Sequence, residues 1–151
     1  MKKYLFLTSL LFTAATSLCQ SIYPYEEIRL IKPADYMGSE PLALSAATFL
    51  LSSPYKEKDI NRSHALEFLK KWMAGTKEFT FRLSGVGQDI AEDHDLLDLF
   101  TAAMVKFCLE NKPFSTNSKL VEESACKIVL TYCDNPVNNF RLKKKQRKKL
   151  Q

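Results

Sequence analysis

Apolar residues recur at helical spacing in four stretches of this chain and alternate strictly with polar ones in a fifth. The first stretch follows Ser39-Glu40-Pro41, where proline is tolerated in an opening turn and Glu40 suits the helix dipole. Leu42 to Leu51 is then apolar nearly all round, the pattern of a helix central to a core, until Ser52-Ser53-Pro54 ends it. Asp59 or Asn61 can cap a second helix reaching about Ala74, with Ala65, Leu66, Leu69, Trp72 and Met73 on one stripe. Gly75 suits the position just past its end. Glu92, Asp93 and Asp95 open a third helix lasting to Glu110, which buries Leu96, Leu97, Phe100, Met104, Phe107 and Cys108. Asn117 or Ser118 begins a fourth, with Val121, Ala125, Ile128, Val129 and Tyr132 inward, and Asp134-Asn135-Pro136 stops it.

The alternating stretch is Glu78-Phe79-Thr80-Phe81-Arg82-Leu83, which predicts a strand with Phe79, Phe81 and Leu83 facing inward. A strand needs a partner, and the segment 26–31 is the plausible one. The expected fold is therefore mainly α: a small four-helix domain over 39–140, with a short two-stranded β element between the second and third helices. Residues 20–38, with Pro24 and Pro33, read as an extended arm laid on that domain. Ten Phe and six Tyr within 46% hydrophobic residues fit a packed core, while four Gly and six Pro are too few for a many-stranded sheet.

The start of the chain carries a different pattern. Met1-Lys2-Lys3 precedes an apolar run from Tyr4 to Phe12 and a small, polar exit from Thr13 to Ser17, so residues 1–19 read as a cleavable signal peptide. The run is shorter than the roughly 20 residues of a spanning helix. Export to the periplasm or beyond the cell follows. Cuts after Ser17 and before Gln20 both fit; acylation of Cys19, making a lipoprotein, is the rival, but Leu18 stands where a small residue normally precedes such a cysteine.

Charge divides the rest. The last eleven residues, 141–151, carry Arg141, Lys143, Lys144, Lys145, Arg147, Lys148 and Lys149 and no acid. Residues 20–140 hold 13 cations against 17 acids, a net of −4, so the overall +5 describes the two ends and not the domain. The basic end reads as a loose, mobile tail able to contact polyanions or anionic lipid. It lacks the interleaved aromatics of a nucleic-acid stacking platform, so specific nucleic-acid binding is not expected. Attachment to the acidic domain of the same or another copy is a further reading.

Chemistry-bearing motifs are few. Cys126 and Cys133 stand seven apart on one helix, about 10.5 Å along its axis, too far to bridge. A disulfide within the chain would therefore join Cys108 to Cys126 or to Cys133; three buried free thiols are the alternative. Of two histidines, His94 sits among Glu92, Asp93, Asp95 and Asp98, where acids at a helix start are explained by the dipole, and His64 reads as a helix-boundary residue. No HExxH, zinc-spaced cysteine pair or EF-hand loop occurs, and Gly85-Val86-Gly87 has Ile90 where a dinucleotide loop would place its third glycine. No metal, cofactor or catalytic residue is assigned.

Leu66-Glu67-Phe68-Leu69-Lys70-Lys71-Trp72-Met73-Ala74-Gly75-Thr76 and Leu97-Asp98-Leu99-Phe100-Thr101-Ala102-Ala103-Met104-Val105-Lys106-Phe107 resemble a group of uncharacterised exported proteins of Bacteroidota bacteria. There a helix ending in Trp-x-x-Gly precedes a short β segment, and an aromatic-rich helix and a lysine-rich end follow. The resemblance spans residues 42–112, and the Cys19-Gln20 junction is similar to that lineage's export signals. It implies location and fold and carries over no functional residue. The leading expectation is an exported, non-enzymatic helical protein acting through another protein or the anionic envelope surface. A small hydrolase using the acids near His94 is the competing one.

Overall fold

Side-chain caps set where three of the four long helices begin. Asp59 accepts from the amides of Asn61 and Arg62, Asp93 from Leu96, and Asn117 from Leu120, each satisfying amides that an opening turn leaves unpaired. In the computed structural model, which describes residues 25–82 and 84–151, seven α-helices follow one another: α1 (Pro33–Gly38), α2 (Glu40–Ser52), α3 (Ile60–Gly75), α4 (Val86–Asp89), α5 (His94–Glu110), α6 (Ser118–Asp134) and α7 (Lys144–Lys149). Short 3-10 turns stand at Tyr25–Glu27, Lys112–Phe114 and Pro136–Asn138. The signal peptide 1–19, the acylation reading at Cys19, residues 20–24 of the arm and the inward placement of Leu83 lie outside the described residues.

The four expected helices are α2, α3, α5 and α6. α2 packs on α3, α5 and α6, as its all-round apolar surface predicts. Its buried face is small: Ala43, Ala46 and Ala47 are fully enclosed, which lets the neighbouring helices approach its backbone closely. Larger side chains fill the space around it, with Leu69, Trp72, Leu96, Leu99, Phe100, Val105 and Val129 all enclosed.

The β element is absent: among the described residues there is no strand. The two segments expected to pair are held elsewhere. The Ile31 and Lys32 amides donate to the Asp35 carboxylate at 3.0 and 2.8 Å, so they are not free for a ladder, and Tyr25–Glu27 winds into a turn. Phe79 and Phe81 pack on Trp72, with ring centroids 5.8 and 6.1 Å away. Alternation here reflects an extended segment lying on helices.

The arm is likewise only partly extended. Pro33 opens α1, and the Tyr36 carbonyl at its far side accepts from the Trp72 indole N–H at 2.9 Å. Gly75 is the last residue of α3, and its role is space: a Cβ there would meet the Tyr36 ring at 2.2 Å. Gly75→Ala is expected to displace Tyr36 and cost about 1–3 kcal/mol, read as a lower urea midpoint at unchanged slope. A midpoint equal to that of the parent would show that Tyr36 does not anchor the arm. Gly85 has a different requirement, a φ of +46° at the entry to α4.

Candidate functional site

Past α6 the chain folds back over one end of the helices. Asn138, 6% exposed, donates to the Tyr132 carbonyl at 2.8 Å, and its own carbonyl accepts from the Tyr55 amide at 2.8 Å. The Phe140 ring meets Tyr55 edge-on at 5.0 Å. These contacts bring residues 141–151 back onto the domain.

There the structure departs from a loose, mobile tail. Residues 144–149 form α7, and Leu150, 3% exposed, joins the core. Gln146 donates to the Asp93 carboxylate, Arg147 pairs with Asp134, and Lys149 donates to the Asp89 carbonyl. The Arg147 guanidinium holds the Asp134 carboxyl below its ordinary range through a direct hydrogen bond. At 100° per residue, Gln146, Arg147 and Leu150 share the inward side of the helix, and Lys144, Lys145 and Lys148 the outward side. These three, with Arg141 and Lys143, are exposed. The seven basic residues expected to act together therefore divide: Arg147 and Lys149 dock the helix, and the other five face solvent. Leu142 and Leu150, which flank the helix and pack on the core, are the apolar residues in this basic run that could have revealed the docking from sequence.

The three described cysteines are free thiols, Cys108 on α5 and Cys126 and Cys133 on α6. No Cys108 bridge to either is formed. Burial pushes each thiol up to about 11, so at neutral pH all three are protonated and poor nucleophiles. Two of them lie near the returning chain: Cys126 and Leu150 line one groove, and the Cys133 thiol feels the Arg147 charge.

The acids around His94 are partly gathered. Asp95 and Asp98 line a cavity of about 160 Å³ with Glu57 and Asp59 from the α2–α3 loop, but His94 is exposed and not part of its wall. Three of these carboxylates already have work in the fold. Asp59 caps α3, Asp98 pairs with Lys70 at 2.8 Å, and Asp95 acts electrostatically on the Tyr55 phenol. Burial first, and Asp95 second, push that phenol up to about 12. His64 stands at a boundary, its Nε2 2.9 Å from Glu26. Among the described residues no group of three or more His, Cys, Asp or Glu side chains is placed to hold a metal ion, and no helix is long and apolar enough to cross a membrane.

No family model matches the chain, and neither the curated proteins nor the solved structures include a detectable relative.

Proposed function

We propose that this is an exported, non-enzymatic helical protein that contacts the anionic envelope surface through the outward side of α7. One observation carries the reading: Lys144, Lys145 and Lys148 are exposed on a helix whose opposite side is anchored by Arg147 and Leu150. A docked helix presents its charges without first losing the conformational entropy of a free tail, so less of the attraction is spent on ordering. Each cation near an anionic lipid surface contributes about 1 kcal/mol. The resemblance to exported Bacteroidota proteins and the signal-like start support the same location. The acid cavity beside α5 favours the hydrolase reading in one respect, its converging carboxylates, yet Asp59 is engaged as a cap and Asp98 by Lys70.

Truncating 141–151 would test this poorly, because it also removes Leu150 from the core. Charge substitution separates the two roles. The triple variant Lys144→Gln, Lys145→Gln, Lys148→Gln should keep its thermal midpoint and lose about two orders of magnitude in affinity for phosphatidylglycerol-containing vesicles. Parent binding should fall steeply with salt, exposed charges being screened over about 8 Å at physiological ionic strength. Equal binding by parent and variant would sink the proposal.

A further inference from the structure

A second site lies away from α7. A cavity of about 240 Å³ opens between residues 78–82 with Ser84, which lie between α3 and α4, and residues 115–122, which lead into α6. Its floor comes from the core: Phe81, Phe100, Met104 and Val121. Its walls are hydroxyls, Thr80 and Ser84 from one segment and Ser115, Thr116 and Ser118 from the other. Ser115 donates to the Lys112 carbonyl at 2.8 Å. Among the described residues the other four hydroxyls have no protein partner, which leaves each able to donate and accept.

Charged groups of both signs complete the wall. Glu78 and Arg82 come with the first segment and Glu122 with α6. Glu122 is held in place from behind, its Oε1 accepting from the Gly87 amide at 3.3 Å.

We infer that this cavity binds a small polyhydroxylated ring, the size of one hexose. Such a ring has an apolar C–H face and a polar edge, matching an aromatic floor beneath hydroxyl and carboxylate walls. Its neighbouring hydroxyls donate to Glu78 or Glu122 and accept from Arg82, while each wall hydroxyl does either. Other ligand classes fit less well. A wholly apolar molecule would strand the wall hydroxyls, an anion would face two carboxylates, and a cation would face Arg82. The volume lies below the roughly 300–1,000 Å³ of drug-sized pockets, so a single ring suffices to fill it.

The protein carries its own reporter, since Trp72 is the single tryptophan and the Phe81 ring on the cavity floor is 6.1 Å from it. D-glucose, D-galactose and N-acetyl-D-glucosamine would each be titrated into the full chain while its fluorescence is followed. At least one should give a saturable change with a Kd on the order of 1 mM. Glu122→Gln, which keeps the side chain's shape, should weaken that binding about tenfold. Thr116→Val, at an exposed position, should weaken it in the same direction without touching Glu122. The α7 triple variant should bind the sugar as the parent does, which keeps this site's result separate from that of the lipid assay. No saturable response to any of the three up to about 50 mM, or a response that neither cavity variant weakens, would overturn the inference.

Discussion

Arg62→Ala is expected to destabilise the protein by about 3–4 kcal/mol and to lower its melting temperature by roughly 10 °C or more. Arg62 is only 8% exposed, yet among the described residues no carboxylate pairs with it. It lies across the end of α2, donating to the Leu50 carbonyl at 3.0 Å, the Ser53 carbonyl at 3.2 Å and the Ser53 hydroxyl at 2.8 Å. The last carbonyls of a helix have no partner within it and form the negative end of its dipole, so a cation there both satisfies and neutralises them. The Tyr132 hydroxyl donates to the same Ser53 carbonyl at 2.8 Å, and the guanidinium carbon sits 5.7 Å from the Tyr55 ring centre. Arg62 of α3 thus closes α2, at the same carbonyl through which Tyr132 ties that end to α6. Arg62→Lys should recover only part of the loss, because an ammonium lacks the planar fork that reaches several acceptors at once. Urea unfolding followed by circular dichroism measures both. A loss under about 1 kcal/mol for the alanine variant would mean that water replaces the guanidinium at all three acceptors.

Trp72→Ala should be comparably severe, at about 3–5 kcal/mol, because it empties the largest enclosed site in the core. Trp72 touches Phe79 and Phe81 and reaches the Tyr36 carbonyl, so α1, α3 and the 78–82 segment all meet on it. Trp72→Phe keeps most of the apolar contact and removes the donor, leaving a carbonyl to find water, at a cost of about 1–2 kcal/mol. Circular dichroism again provides the readout, since neither variant retains the fluorophore. If the phenylalanine variant were as stable as the parent, the bond to Tyr36 would carry no weight in holding α1.

Three of the four long helices were legible because each announces itself twice, by an apolar stripe and by a capping residue, whereas α2 shows only its apolar run. Asp59, Asp93 and Asn117 are local signals, and local hydrogen bonds use them as expected. The β element failed for the opposite reason. Alternation over 78–83 specifies an extended, one-sided segment but does not name its partner, and the partner proved to be Trp72. Asp35 decided the other half: it captures the Ile31 and Lys32 amides, while proline at the first position of a helix was the unused clue to α1. The tail misled through composition. Seven cations in eleven residues dominate any count, whereas docking depends on Leu150 and on where Arg147 points, and a short helix of six residues shows little periodicity. The hydroxyl-lined cavity was not legible at all, because its walls lie some 35 residues apart in the chain and no spacing rule joins them.

α2 has a consequence for how this protein can change over evolutionary time. Its enclosed face is Ala43, Ala46 and Ala47 with Leu50 at its end, and the space that larger side chains would fill beside the alanines is taken by three other helices. The constraint there is on volume and not on polarity, because even one added methylene in a close-packed site forces neighbours off their rotamers. Substitutions that preserve hydrophobicity but add bulk are therefore the ones this helix excludes. Lineages descended from this chain should drift freely along the outward sides of α3, α5 and α6 while α2 keeps its small residues, making that helix the best anchor for recognising a distant relative.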